Sequence, residues 1–131
     1  SLKIIDESIE VKYKNKAKDI KLNCDYNQLS RVFLNILKNS YESHSGTKKL
    51  ISVKVKEDNN AVIIMIEDNG LGFGENRDKL FEPYITSKAD GTGLGLAICK
   101  KIIEDHEGEI YLMNSNDYGG ACVKIKLYKV S

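Results

Sequence analysis

Apolar residues recur along this chain with two different periods, and the switches between them outline its elements. Leu2, Ile5, Ile9 and Tyr13 stand at helical spacing in a polar background, which predicts a short amphipathic helix ending in the lysine-rich stretch before Lys18. Ile20, Leu22 and Cys24 then alternate with polar residues and predict a strand. Over residues 27–43, Leu29, Val32, Phe33, Ile36 and Leu37 fall on one helical face, with Asp25 or Asn27 available to cap its start. Ser45, Gly46 and Thr47 break that pattern. Ile51, Val53 and Val55 next alternate with Ser52, Lys54 and Lys56 up to a turn at residues 57–60, and a return strand follows over residues 61–67. Its run Val62, Ile63, Ile64, Met65, Ile66 is apolar on both faces, so it belongs at the centre of a sheet with cover on each side.

Residues 68–95 hold most of the glycines and Pro83 and show little periodicity. A loop of that length inside a compact domain is functional or mobile. Leu94, Ala97, Ile98 and Ile102 mark a second helix that ends near Gly108, which suits the C′ position. Ile110 and Leu112 open a final hairpin, turned over residues 114–120 and returning through Ala121, Val123, Ile125 and Leu127. The sum is an α+β fold: a two-layer sandwich with helices on one face of a mixed, mostly antiparallel sheet.

Composition narrows the function without naming it. A chain of 131 residues is expected to be a single domain with one core. Lys and Arg number 20 against 19 Asp and Glu, so the net charge of +1 offers no basic field for nucleic acid or an anionic membrane surface. No apolar run approaches the roughly 20 residues that cross a bilayer, and the first ten residues hold no signal-peptide core. This reads as a soluble, intracellular domain. The three cysteines, Cys24, Cys99 and Cys122, have no partner at metal-ligand spacing and are expected as reduced, buried or inert thiols.

Three features stand outside the core pattern. Asn35 and Asn39 are one helical turn apart at the edge of the apolar stripe, and two stacked amide oxygens can orient magnesium, which keeps its waters and takes its other contacts from phosphates. Asp68 closes the central strand and is followed by Gly70 and Gly72; its carboxylate can accept a hydrogen bond from an exocyclic amine such as that of adenine, while the glycines let backbone approach a flat ligand. Gly91, Thr92, Gly93, Leu94, Gly95 and Leu96 open the second helix and resemble a phosphate cradle at its positive end. A dinucleotide fingerprint would need glycine at Leu96 and a strand just before, and a Walker A loop would need lysine there, so neither common nucleotide motif is met.

Taken together these segments resemble the ATP-binding catalytic domain of sensor histidine kinases, in the superfamily that also holds type II topoisomerase, mismatch-repair and heat-shock chaperone ATPases. Residues 28–39 are similar to that family's N box, residues 68–73 to its G1 box, Leu80, Phe81, Glu82, Pro83 and Tyr84 to its F box, and residues 91–96 to its G2 box, in order and over nearly the whole chain. Residues 81–96 together with Glu42 resemble the nitrogen-regulation branch. The resemblance implies ATP and Mg2+ as ligands. Asn39 would coordinate the metal, Asn35 would support the phosphates, Asp68 would bind the adenine amine, and Gly70 and Gly72 would shape the pocket floor. Residues 74–90 would form a mobile ATP lid anchored by Phe81 and Tyr84, with Lys88 reaching the terminal phosphate.

Some positions depart from the family pattern. Hydrolysing relatives place Glu one turn before the metal-binding Asn, where this chain has Asn35, which cannot take a proton from water; phosphoryl transfer depends chiefly on positioning and charge neutralisation and tolerates that change. Glu42 stands where many sensor kinases have lysine, and Ala121 where the family often has threonine. His44 and His106 are the only histidines, and neither has the context of a phosphoacceptor. The acceptor is therefore expected on a separate dimerisation domain, with a response regulator downstream, and the chain is expected to be an excised catalytic domain acting in the cytoplasm, whether or not its parent is anchored in the inner membrane. The alternatives are a stand-alone serine kinase of the anti-sigma type and a non-catalytic ATP-sensing module.

Overall fold

The two-faced apolar run at residues 62–66 does lie at the centre of the molecule. In the computed structural model, which describes residues 9–15, 22–42, 48–75, 77–83 and 95–130, it forms strand β3 (Ala61–Asp68). Around it the chain runs β1 (Ile9–Asn15), α1 (Tyr26–Glu42), β2 (Lys49–Asp58), β3, a 3-10 turn (Arg77–Phe81), α2 (Gly95–Asp105), β4 (Glu109–Asn114) and β5 (Ala121–Tyr128). The strands make one sheet in the order β1-β2-β3-β5-β4, with β1 parallel to β2 and the other neighbours antiparallel. None of the described helices is long and apolar enough to cross a membrane.

Register decides which residues share a face. Val53 pairs with Ile66, Ile66 with Val123 and Val123 with Leu112, and Ile64 with Ile125 and Ile125 with Ile110, so these residues point the same way. That face meets Leu29, Val32 and Ile36 of α1 and Cys99, Ile102 and Ile103 of α2 in one continuous core. The opposite face buries Ala61, Ile63 and Cys122, and Lys56 and Lys126 flank Ile63 in register. The thiols of Cys99 and Cys122 are pushed up to about 11, chiefly by burial, so both behave as small apolar side chains; Cys24 is exposed.

Capping explains the helix limits. Asp25 fills the N-cap of α1, where its Oδ1 accepts from Gln28 N–H at 3.1 Å and its carbonyl accepts from Leu29 N–H at 3.0 Å. At the end of α2, Gly108 N–H donates to Ile103 O and Glu107 N–H to Glu104 O, the paired bonds of a Schellman cap. The left-handed residue is Glu107, at φ 59°, and not Gly108 as the sequence suggested. Gly108 is needed for another reason: a Cβ there would stand 2.6 Å from Lys126 O, where the cap crosses β5.

Two expectations fail. The helical pattern through Ile9 and Tyr13 belongs to strand β1, because pairing with β2 along Ile9–Asn15 outweighs a short local periodicity that the alternation of Ile9, Val11 and Tyr13 equally supports. Leu22 and Cys24, read as strand, lie in irregular backbone leading to the α1 cap. Leu2, Ile5, Ile20 and His44 lie outside the described residues.

Candidate functional site

The site starts at the end of β3, where the sheet delivers a carboxylate to a position it cannot leave. Asp68 is 2% exposed, and its Oδ1 accepts from Gly70 N–H at 2.9 Å and Ala121 N–H at 3.0 Å. Its carbonyl accepts from Gly120 N–H at 3.0 Å. A buried carboxylate is stable only with such partners, and here backbone supplies them from both the following loop and the neighbouring strand. Asn69 points the other way and ties the loop to β2: its Oδ1 accepts from Leu50 N–H at 2.9 Å and its Nδ2 donates to Lys48 O at 2.8 Å. The Asp68, Asn69, Gly70 segment is therefore an anchored corner, with the two side chains serving opposite strands.

Glycine is required where these strands close. A Cβ on Gly120 would sit 2.4 Å from both Asp68 O and Asp68 Oδ1 and 2.5 Å from Gly70 N. Gly72 takes φ +78°, a conformation that side chains rarely adopt, and a Cβ there would meet Asn114 Oδ1 at 3.2 Å. Sequence reasoning named Gly70 and Gly72 but missed Gly120 and Asn69. The doublet Gly119 and Gly120 was the available signal, since a hairpin turn needs only one glycine at positive φ and Gly119 already supplies it at +83°.

The amide pair lies on α1. Asn35 and Asn39 are half-buried, beside the fully buried Val32 and Ile36, as their helical phase predicts. Asn35 reaches across to Cys99 of α2, where it and the charge of Arg31 partly offset the burial that raises the thiol. Cys99 Sγ in turn donates to Val32 O at 3.7 Å. After Gly72, Phe73, Leu80 and Phe81 pack on the core, and Lys100 of α2 stands 4.8 Å from the centre of the Phe81 ring. Gly95 and Leu96 open α2. Tyr84, Lys88, Gly91, Thr92, Gly93 and Leu94 lie outside the described residues.

Family comparison decides what kind of domain this is. The model of the histidine kinase-, DNA gyrase B- and HSP90-like ATPases matches residues 24–130. The chain belongs to that ATPase family. Among relatives of this ATPase domain, sporulation kinase E of Bacillus subtilis (strain 168) is 43% identical over 98 residues, covering 73% of this chain and 13% of the relative. An NtrY-like sensor histidine kinase of Rickettsia conorii is 36% identical over 128 residues, covering 95% of this chain and 21% of the relative. The nucleotide-free catalytic domain of histidine kinase ThkA superposes with a TM-score of 0.82 at 29% identity, covering 93% of this chain and 80% of that one. The chain thus spans about an eighth to a fifth of the length of these two kinases. The sequence resemblance and the sandwich fold both stand.

Proposed function

We propose that this chain is the catalytic, ATP-binding domain of a two-component sensor kinase. It binds Mg-ATP and passes the γ-phosphoryl group to a histidine on a separate dimerisation domain, with a response regulator downstream and the reaction taking place in the cytoplasm. The observation that carries this reading is the pinned Asp68 carboxylate at the end of the central strand. Both backbone donors fall on Oδ1, which leaves the second oxygen to accept from an adenine amine. Gly70 and Gly72 keep the adjoining backbone low enough for a flat base to lie against it.

The donor set also fits magnesium better than a softer metal. Asn39 carries an amide oxygen, a neutral, hard donor of the kind magnesium takes and a soft metal does not prefer. A cation held by one amide oxygen must take its remaining contacts from water and phosphate. Asn35 would steady the phosphates beside it, and the glycine-rich residues 91–96, with Lys88, would line the triphosphate. When bound, ATP supplies the phosphoryl group; the residues named here orient it and neutralise its charge, which is most of what such a transfer requires. The names of the relatives, all kinases and two of them histidine kinases, support histidine as acceptor over serine.

Incubation with γ-labelled ATP and a dimerisation domain tests the reading. Acid-labile label on the acceptor domain is the expected result; acid-stable label would make the chain a serine kinase, and tight ATP binding without transfer would make it a sensing module. Asn39→Ala is expected to weaken ATP binding about tenfold with magnesium present and less than about threefold in chelator, the scale of one lost polar contact. Equal losses in titrations under both conditions would remove Asn39 from the metal site.

A further inference from the structure

Behind Asp68, on the sheet face that carries no helix, lies a second acid that the nucleotide reading does not use. Glu67 is 4% exposed. Its Oε2 accepts from Ser115 Oγ at 2.6 Å, a buried bond, and its Oε1 lies 3.5 Å from Lys54 Nζ. Lys54 is shared with Asp117, at 3.3 Å, and that carboxylate first and Glu67 second hold its ammonium above the usual lysine range against the opposing effect of burial. Ser115 does more than satisfy Glu67. Its Oγ also accepts from Tyr118 N–H at 3.0 Å, its N–H donates to Gly120 O at 2.7 Å, and its carbonyl accepts from Gly119 N–H at 3.0 Å. Every one of these bonds closes the turn between β4 and β5.

That turn is the same stretch whose far end holds Asp68. Gly120 N–H and Ala121 N–H, the donors to Asp68 O and Oδ1, follow directly from the residues that Ser115 organises. Successive residues of a strand point to opposite faces. Glu67 therefore grips the turn from one face of the sheet while Asp68 grips it from the other, and the two carboxylates hold it between them. Without the Glu67 grip, the turn keeps its own bonds, the Lys54–Asp117 ion pair and the Gly120 bond to Asp68 O, but loses its buried side-chain tie to β3.

We propose that the Glu67–Ser115 hydrogen bond is a positioning device that locks the β4–β5 turn so that Gly120 and Ala121 hold the Asp68 carboxylate in one orientation, setting the preference for adenine over guanine. The inference rests on Asp68 as the adenine acceptor. Glu67 and Ser115 touch no ligand in this account; they act through the turn. An acceptor carboxylate fixed in place favours the amine of adenine and repels the carbonyl that guanine presents at the same position. One free to rotate discriminates less.

Calorimetric titration of ADP and GDP, with thermal unfolding in parallel, tests this on the 131-residue chain and its Ser115→Ala, Ser115→Thr, Glu67→Ala and doubly substituted Glu67→Ala/Ser115→Ala variants. Ser115→Ala is expected to weaken ADP about tenfold, the scale of one lost bond to a buried charge, and to narrow the ratio between ADP and GDP. Ser115→Thr, which keeps the hydroxyl, is expected to restore both. The double variant is expected to lose no more ADP affinity than the weaker-binding of the single variants, because either substitution alone already breaks the Glu67–Ser115 bond. A lower melting temperature with unchanged ADP affinity and an unchanged nucleotide ratio would show a merely structural bond and overturn the proposal, as would additive losses. Wild-type chain that binds neither nucleotide would instead overturn the adenine reading itself, and this inference with it.

Discussion

Gly120→Ala is expected to abolish measurable ADP binding and to remove about 2 to 3 kcal/mol of stability, the scale of a methyl group forced into a filled space. The reason is the rigidity of what the new methyl would strike. Two of the three atoms within 2.5 Å are backbone, and the third is the Asp68 oxygen already held by two N–H donors. No flexible side chain is available to swing aside. Either β5 retreats, breaking the bonds from Gly120 N–H to Asp68 O and from Ala121 N–H to Oδ1, or the Asp68 carboxylate rotates out and strands the buried Ala121 N–H. Both routes remove the acceptor from the end of β3, so affinity and stability fall together. Gly119→Ala is the matched control. Its Cβ would enter open space, so only the strain of φ +83° remains, about 1 kcal/mol, and ADP binding should persist. Thermal unfolding and calorimetry on the two variants separate these cases, and a Gly120→Ala variant with wild-type ADP affinity would contradict the account of the site.

Which parts of this arrangement the sequence announced follows from the range of the interactions that fix them. Helix α1 and the two hairpins are set by residues close in the chain: the stripe from Leu29 to Leu37, the turn after Asp58 and the alternation from Ala121 onward all appear within a short window. The conspicuous site residues are local for the same reason, since a helical turn places Asn35 above Asn39 and a strand end is followed at once by its glycines. Strand β1 was misread because its identity depends on pairing Ile9 with Lys49, a neighbour 40 positions away that no local window contains. Gly120 was missed on similar grounds. Its need for a bare Cα arises from Asp68, an adjacent strand's residue, and a glycine in a hairpin turn has an ordinary local explanation that hides the long-range one. Glu67 was hidden by its own strand, whose apolar run ends at Ile66 and which holds no local partner to explain a buried acid beside Asp68. Burial of that acid becomes intelligible only once Ser115 is seen arriving from the end of β4 and Lys54 from the middle of β2. Short-range chemistry was legible, and the interactions that support it from across the sheet were not.

Asp68→Asn, by contrast with Gly120→Ala, is expected to leave the fold nearly intact while weakening ADP by about 2 kcal/mol, roughly thirtyfold, the scale of a charge-assisted hydrogen bond turned against its partner. Both structural bonds at this residue end on one oxygen, Oδ1, and an asparagine carbonyl can accept the same two N–H groups from Gly70 and Ala121. The second oxygen, offered to the ligand, becomes an NH2. A donor then faces the adenine amine, another donor, and the pair repels where it formerly bonded. The same change presents a donor to the carbonyl of guanine, so the loss for GDP should be much smaller than for ADP and the preference between them should shrink or reverse. Asp68→Ala separates this from simple structural damage: it leaves the N–H groups of Gly70 and Ala121 without their acceptor, at a cost of about 1 to 3 kcal/mol for each that stays buried, and it should lower the melting temperature, which the Asn variant preserves. A stable Asp68→Asn variant with unchanged affinities for both nucleotides would place adenine recognition elsewhere in the molecule.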